Sequence, residues 1–136
     1  MTLYMLDTDT SSYIIREKPA SVRERFQEID LQQICISVVT YAELLYGVAK
    51  SSSKRVNRPI IEDFARHLVI QAWDEDAADS YAQVRAYLEG EGKPIGGMDT
   101  QIAGHALSLD AVLVTNNTRH FGRVPNLKLE NWVNLD

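Results

Sequence analysis

The stretch from Asp99 to Asn117 reads "DTQIAGHALSLDAVLVTNN". Its first part, "DTQIAGHALSL", has the pattern of a helix, and "AVLVT" that of a strand. A strand apolar at every position, such as "AVLV", suits a parallel sheet covered on both faces rather than a half-solvated hairpin. The same alternation runs along the rest of the chain. "TLYML" near the start reads as a short buried strand, followed by helices in "TSSYIIREK" and "SVRERFQEI" with Pro19 and Ser21 at the break. "ICISVV" is β-branched and apolar and reads as a strand. Thr40 is then expected to open a helix with Tyr41, Leu44, Leu45 and Val48 on one stripe. A further helix is expected from about Arg58 to Leu68, with Pro59 tolerated in its first turn. "LVIQAW" is a strand candidate. Asp74 is placed to cap a long helix that carries Ala77, Tyr81, Val84 and Leu88 on one face. "GEGKPIGGM" reads as a flexible loop, and "LKLENW" as a final short strand. The fold class expected is α/β: a three-layer α/β/α sandwich around a mainly parallel sheet.

Bulk properties set bounds. A chain of 136 residues suits a single domain, residues 1–136. No run approaches the roughly 20 apolar residues of a membrane span, and no basic-then-apolar leader opens the chain. These features point to a cytoplasmic protein. The one cysteine, Cys35, leaves no internal disulfide and sits in an apolar run, so it reads as a buried thiol. His67, His105 and His120 lack zinc-site spacing and read as surface or packing residues. Fourteen basic against 19 acidic side chains give a net charge of −5. That weighs against a general nucleic-acid binder, though not against an enzyme that holds nucleic acid locally. The segment "KSSSKRVNR" carries Lys50, Lys54, Arg55 and Arg58 with no acid among them. It reads either as a solvated loop or as a phosphate-binding patch.

In a parallel α/β sheet the site lies outside the carboxyl ends of the strands. Asp7 directly follows the first strand, and Thr115, Asn116 and Asn117 follow "AVLV". Glu43 falls in the first turn of the helix after "ICISVV", and Asp99 starts the helix that leads into "AVLV". Each has a structural alternative. Asp7 or Asp9 could cap the first helix. Glu43 stands three residues after Thr40, as in a capping box. Asp99 could complement a helix dipole, and the asparagines could form a turn. Taken together, several carboxylates on one edge would repel one another unless a divalent cation joined them. Mg²⁺ takes carboxylate oxygens, and its chemistry with phosphodiesters is assisted hydrolysis.

Two families share parts of this pattern. "YMLDTDTSS" resembles the first motif of haloacid-dehalogenase-type phosphatases, with Asp7 as nucleophile and Asp9 as general acid, and "AVLVTNN" resembles their second. Only 19 residues follow Asn117 (136 minus 117), and among them Lys128 is the one lysine and Glu130 and Asp136 the acids. That leaves no room for the remaining motifs, and gives Glu43 and Asp99 no role. The longer set "YMLDTDTSSYII", "ISVVTYAELLYGV", "GMDTQIAGHAL" and "VLVTNNTRHF" resembles the PIN-domain ribonucleases, in particular the VapC toxins of toxin–antitoxin pairs. The order and spacing match from residue 1 to 121.

The resemblance implies a Mg²⁺- or Mn²⁺-dependent endoribonuclease that acts on structured RNA, with the anticodon loop of tRNA as the leading substrate. It implies Asp7 and Asp99 as metal ligands and Glu43 as the residue that orients water or holds a second ion. Thr8, Thr115 and Asn116 would be supporting groups, and Asn117 a further catalytic position. Asp9 is left to a capping or outer role. Lys50, Lys54, Arg55, Arg58 and Arg119 are then candidate phosphate contacts. Many relatives carry an acid where Asn117 or His120 stands here, which leaves a second metal open. The partners implied are a homodimer mate and a VapB-type antitoxin, whose tail would block the site with a basic side chain. Promoter DNA would be bound only by the toxin–antitoxin complex. A non-catalytic binding domain that keeps the fold is the alternative from another class.

Overall fold

The structure, a computed structural model, describes residues 1–134; Asp136, counted above among the late acids, lies outside them. Five short strands form one sheet in the order β3-β2-β1-β4-β5. They are β1 (Tyr4–Leu6), β2 (Ile34–Ser37), β3 (Val69–Gln71), β4 (Val112–Val114) and β5 (Lys128–Glu130). Every pairing is parallel, with Met5 opposite Cys35 on one side and Leu113 on the other. Seven α-helices connect the strands: α1 (Thr8–Arg16), α2 (Ala20–Glu28), α3 (Val38–Ala49), α4 (Lys54–Arg66), α5 (Glu75–Gly90), α6 (Gly97–Ser108) and α7 (Thr118–Phe121).

Side-chain alternation along the strands divides the core into two layers. Met5, Cys35 and Leu113 face α5 and α6, and pack with Val84, Leu88, Ile102, Ala103 and Phe121. Leu6, Ile34, Ile36 and Val114 face the opposite side, with Ile14, Val22 and Trp132. Both faces are covered, so the three-layer α/β/α sandwich is realised. Cys35 is fully buried, and burial pushes its thiol pKa up to about 12.

Three boundaries differ from the sequence reading, each for a local reason. Helix α3 begins at Val38, because Ser37 at the end of β2 turns its hydroxyl to accept from the Val39 N–H at 3.1 Å. The β-branched run thus crosses from strand into helix. Thr40 is not the cap, and Glu43 lies in the second turn. Helix α4 begins at Lys54, so Pro59 sits in its second turn, and Lys54, Arg55 and Arg58 lie on a helix rather than a loop. Helix α6 begins at Gly97, inside the glycine-rich stretch, which makes Asp99 a first-turn residue. Asp74 does cap α5, accepting from the Ala77 N–H at 2.9 Å.

The chain leaves β1 toward β2 and β3, then returns to place β4 on the other side of β1. The crossovers therefore diverge between β1 and β4, and the crevice at their carboxyl ends is the natural binding position of such a sheet.

Candidate active site

Asp7 is the first residue past β1, and its backbone N–H still bonds to the Val114 carbonyl of β4 at 3.0 Å. Its side chain is the N-cap of α1, accepting from the Thr10 N–H at 2.8 Å. Only 4 % of Asp7 is exposed. Burial raises its carboxyl pKa to about 6, against hydrogen bonds from Thr115 and Thr10 that favour the ionised form. Asp7 thus combines the capping role and a place in the crevice. Of the two roles open to Asp9, capping falls to Asp7, and Asp9 takes the outer one as an exposed first-turn residue of α1.

The crevice is a cleft of about 100 Å³ lined by Asp7, Thr8, Asp9, Glu43, Asp99, Asn117 and Phe121. Four elements supply it: α1 and its cap, α3, α6 and the β4–α7 segment. The Thr8 hydroxyl donates to Glu43 Oε1 at 2.5 Å, which ties α1 to α3 and fixes the carboxylate. The Asp99 pKa is raised, first by burial and then by the negative charges of Glu43 and Asp9; His120 acts the other way. Asp9 also raises Asp7. The spacing Asp7-Thr8-Asp9 was visible in the sequence. The role of Asp9 in the cleft was not, because it depends on where α3 and α6 bring Glu43 and Asp99.

The remaining candidates separate. Thr115 is fully buried beside Asp7 and accepts from the Asn117 N–H at 2.9 Å, which sets the turn after β4. The Asn117 amide lies 3.0 Å from His120 Nδ1. Asn116 is not part of the cleft: its side-chain oxygen accepts from Asn131 Nδ2 at 3.1 Å and braces the segment after β5. Lys50 lies over the Tyr46 ring, Lys54 donates to the Ser51 carbonyl, and Arg58 pairs with Glu62. None of these, nor Arg55 or Arg119, lines the acidic cleft.

The donor set fits a divalent cation. The cleft holds four carboxylates and no lysine or arginine, and two of the carboxyls are disfavoured in their ionised form. Among the described residues, no three His, Cys, Asp or Glu side chains form a ready-made metal cage. Two carboxylates plus water is the ordinary Mg²⁺ environment, whereas zinc sites are built mainly on His and Cys, neither of which lines the cleft. The phosphatase alternative loses its cation. Lys128 stands at the amino end of β5 and pairs with Asp110 at 2.9 Å, at the opposite edge of the sheet from Asp7.

A PIN-domain model matches residues 4–127. The chain belongs to the PIN-domain family. Within it, the PIN domain described here is 45 % identical over 132 residues to the tRNA(fMet)-specific endonuclease VapC of Shigella flexneri, covering 97 % of this chain and 99 % of that one. The crystal structure of DNA-bound VapBC from Salmonella typhimurium matches with a TM-score of 0.91 at 42 % identity, covering 97 % and 99 % of the two chains. VapBC2 of Rickettsia felis, bound to a DNA fragment from its promoter, matches with a TM-score of 0.90 at 38 % identity, covering 96 % and 99 %. The PIN domain is thus of the VapC kind.

Proposed function

We propose that this PIN domain is the toxin of a toxin–antitoxin pair and a divalent-metal-dependent endoribonuclease. Mg²⁺ or Mn²⁺ is the ion, and tRNA, cut in the anticodon loop, the leading substrate. The observation that carries the reading is the meeting of Asp7, Glu43 and Asp99 in a cleft without lysine or arginine at the β1/β4 crossover point. The names of its relatives as tRNA-specific endonuclease and ribonuclease support it.

Asp7 and Asp99 would hold the ion, which when bound supplies polarisation of the phosphoryl oxygen and activation of water. The chain's own residues do the positioning. Thr10 and Thr115 fix the Asp7 carboxylate from two sides. Thr8 holds Glu43 with one oxygen engaged, leaving the other to accept a proton from the attacking water. Asn117, on the turn that Thr115 organises, offers an amide to the phosphate or its leaving oxygen.

An antitoxin of the VapB kind is the proposed partner, and DNA would be bound through the complex, as in the Salmonella and Rickettsia assemblies. An apolar groove lined by Ile15, Leu44, Val48, Ile60 and Ile61 adjoins the cleft, sharing Thr8 and Glu43 with it. A partner segment lying in that groove would bring a basic side chain to the acids. A homodimer and a cytoplasmic location complete the reading.

The test is incubation of purified tRNA with the protein at varied Mg²⁺. Cleavage is expected with metal, none with chelator, and a loss of at least 100-fold in Asp7→Ala and Asp99→Ala with native circular dichroism. Full activity in Asp99→Ala would sink the metal assignment. Absence of cleavage at every metal concentration would favour a non-catalytic binding domain.

A further inference from the structure

Beside the acidic cleft, on the other side of α7, lies a second cavity of about 430 Å³. Its walls carry Lys93 from the loop before α6, Arg119 and Arg123 from α7 and the turn after it, and Tyr87 from α5. That volume falls in the usual range for small-ligand cavities, about 300–1,000 Å³. Among the described residues, none of the three cations has an acidic oxygen within ion-pairing distance. Arg25, Arg58, Arg66, Arg85 and Lys128, by contrast, are all paired with acids. Glu91 is the one acid on the cavity wall, so the cavity is net cationic in a chain of net charge −5. Arg123 is held in place, its Nη1 donating to the Pro94 carbonyl at 3.2 Å. Tyr87 leaves 47 % of its surface open.

We propose that this cavity is an RNA-binding subsite that takes backbone phosphates on Lys93, Arg119 and Arg123 and stacks a base on Tyr87. The inference rests on the nuclease reading above and gives it a substrate path. An acidic cleft cannot hold a polyanion by itself, and no lysine or arginine lines it. Helix α7 solves this by presenting its two sides to the two cavities. Asn117 and Phe121 line the cleft, while Arg119 and Gly122 line the cationic cavity. A single strand crossing α7 therefore passes from cations to carboxylates. An exposed aromatic beside a cationic groove is the ordinary platform for single-stranded nucleic acid. The cations of α4 have no such arrangement, since α4 contributes Asn57, Ile60 and Ile61 to the neighbouring apolar groove and no residue to the acidic cleft.

The experiment measures binding of a fluorescent single-stranded RNA 12-mer by anisotropy, in EDTA, across a salt series. Each lost phosphate contact lowers the slope of log K against log salt by about 0.7. The double variant K93Q/R119Q, both exposed positions, is expected to lose about 1.4 from the slope. R123Q is expected to lose about 0.7. Y87A is expected to weaken binding about tenfold with the slope unchanged, and Y87F to restore it. K54Q/R55Q is the control and should bind like wild type. A wild-type slope in K93Q/R119Q overturns the subsite. If that variant also cleaves tRNA at the wild-type rate, the nuclease reading stands without it. Failure of the wild-type protein to bind the 12-mer also overturns the subsite, whereas failure to cleave with metal overturns the reading itself.

Discussion

Thr40 is fully buried on α3, and among the described residues its hydroxyl is the one buried side-chain polar atom with no hydrogen-bond partner. In sequence it looked like a helix cap, with Glu43 three residues on. The cap is Ser37, and Thr40 has been carried into the packed interior by the extra turn. An unsatisfied buried hydroxyl costs more than the bond it forgoes, so the isosteric Thr40→Val should stabilise the protein by about 1 kcal/mol. Urea denaturation would measure this, and a loss of stability would mean that the hydroxyl is in use. The same residue scale shows why Glu43 was hard to read. Its bond from Thr8 spans 35 positions of sequence, and nothing local announces it. Asp7 was easier, because a single carboxylate at the end of an apolar strand serves as cap and as site at once.

At the scale of elements, α6 packs against α5 backbone to backbone at Gly104. A Cβ placed on Gly104 would lie 2.6 Å from the Tyr81 Cα and 2.7 Å from its N. Neither backbone atom can rotate away. Gly104→Ala should therefore push α6 off α5 and cost about 3 kcal/mol, at the upper end of overpacking effects. Because Asp99 rides on the first turn of α6, tRNA cleavage should fall along with the melting temperature. A variant with unchanged melting behaviour would show that the two helices have slack. The helix stripes that build this contact, Ala77, Tyr81, Val84 and Leu88 on α5, were legible as periodicity. Helix starts were less so. Gly97 and Met98 look like loop yet form the first turn of α6; both are exposed, and the turn is closed by the Thr100 N–H donating to the Gly96 carbonyl at 2.8 Å. The cations of "KSSSKRVNR" were legible as a patch. Their place on α4, away from the lining of the acidic cleft, follows from long-range packing of Ile61 against α3.

At the scale of the whole molecule, the alternation of apolar strands with helices carries the architecture, and the rule that sites sit at carboxyl strand ends led to Asp7, Thr115 and the turn after β4. Strand order was not legible: that β4 lies beside β1 is decided by sheet packing, and it is this neighbour relation that creates the crevice. The cost of the crevice falls on global stability, and its pH dependence has a definite sign. The Asp7 carboxyl has a folded-state pKa of about 6 against an ordinary value of 3.8. Below pH 3.8 it is protonated in both states and costs nothing. As pH rises from 3.8 through 6, the unfolded chain releases its proton first, so metal-free stability falls across that window. About two pKa units correspond to about 3 kcal/mol at pH 7.5, and the raised Asp99 adds to it in the same direction. Asp7→Asn keeps an acceptor for the Thr10 N–H, since Asn is also a good cap, and removes the charge. It should melt with wild type at pH 4 and well above it at pH 7.5 in chelator. Millimolar Mg²⁺ should raise the wild-type melting temperature at pH 7.5 by mass action and leave Asp7→Asn where it was. Scanning calorimetry with and without Mg²⁺ reads all four conditions. If Asp7→Asn is the less stable protein in chelator at pH 7.5, the buried carboxylate is not the burden that its surroundings imply.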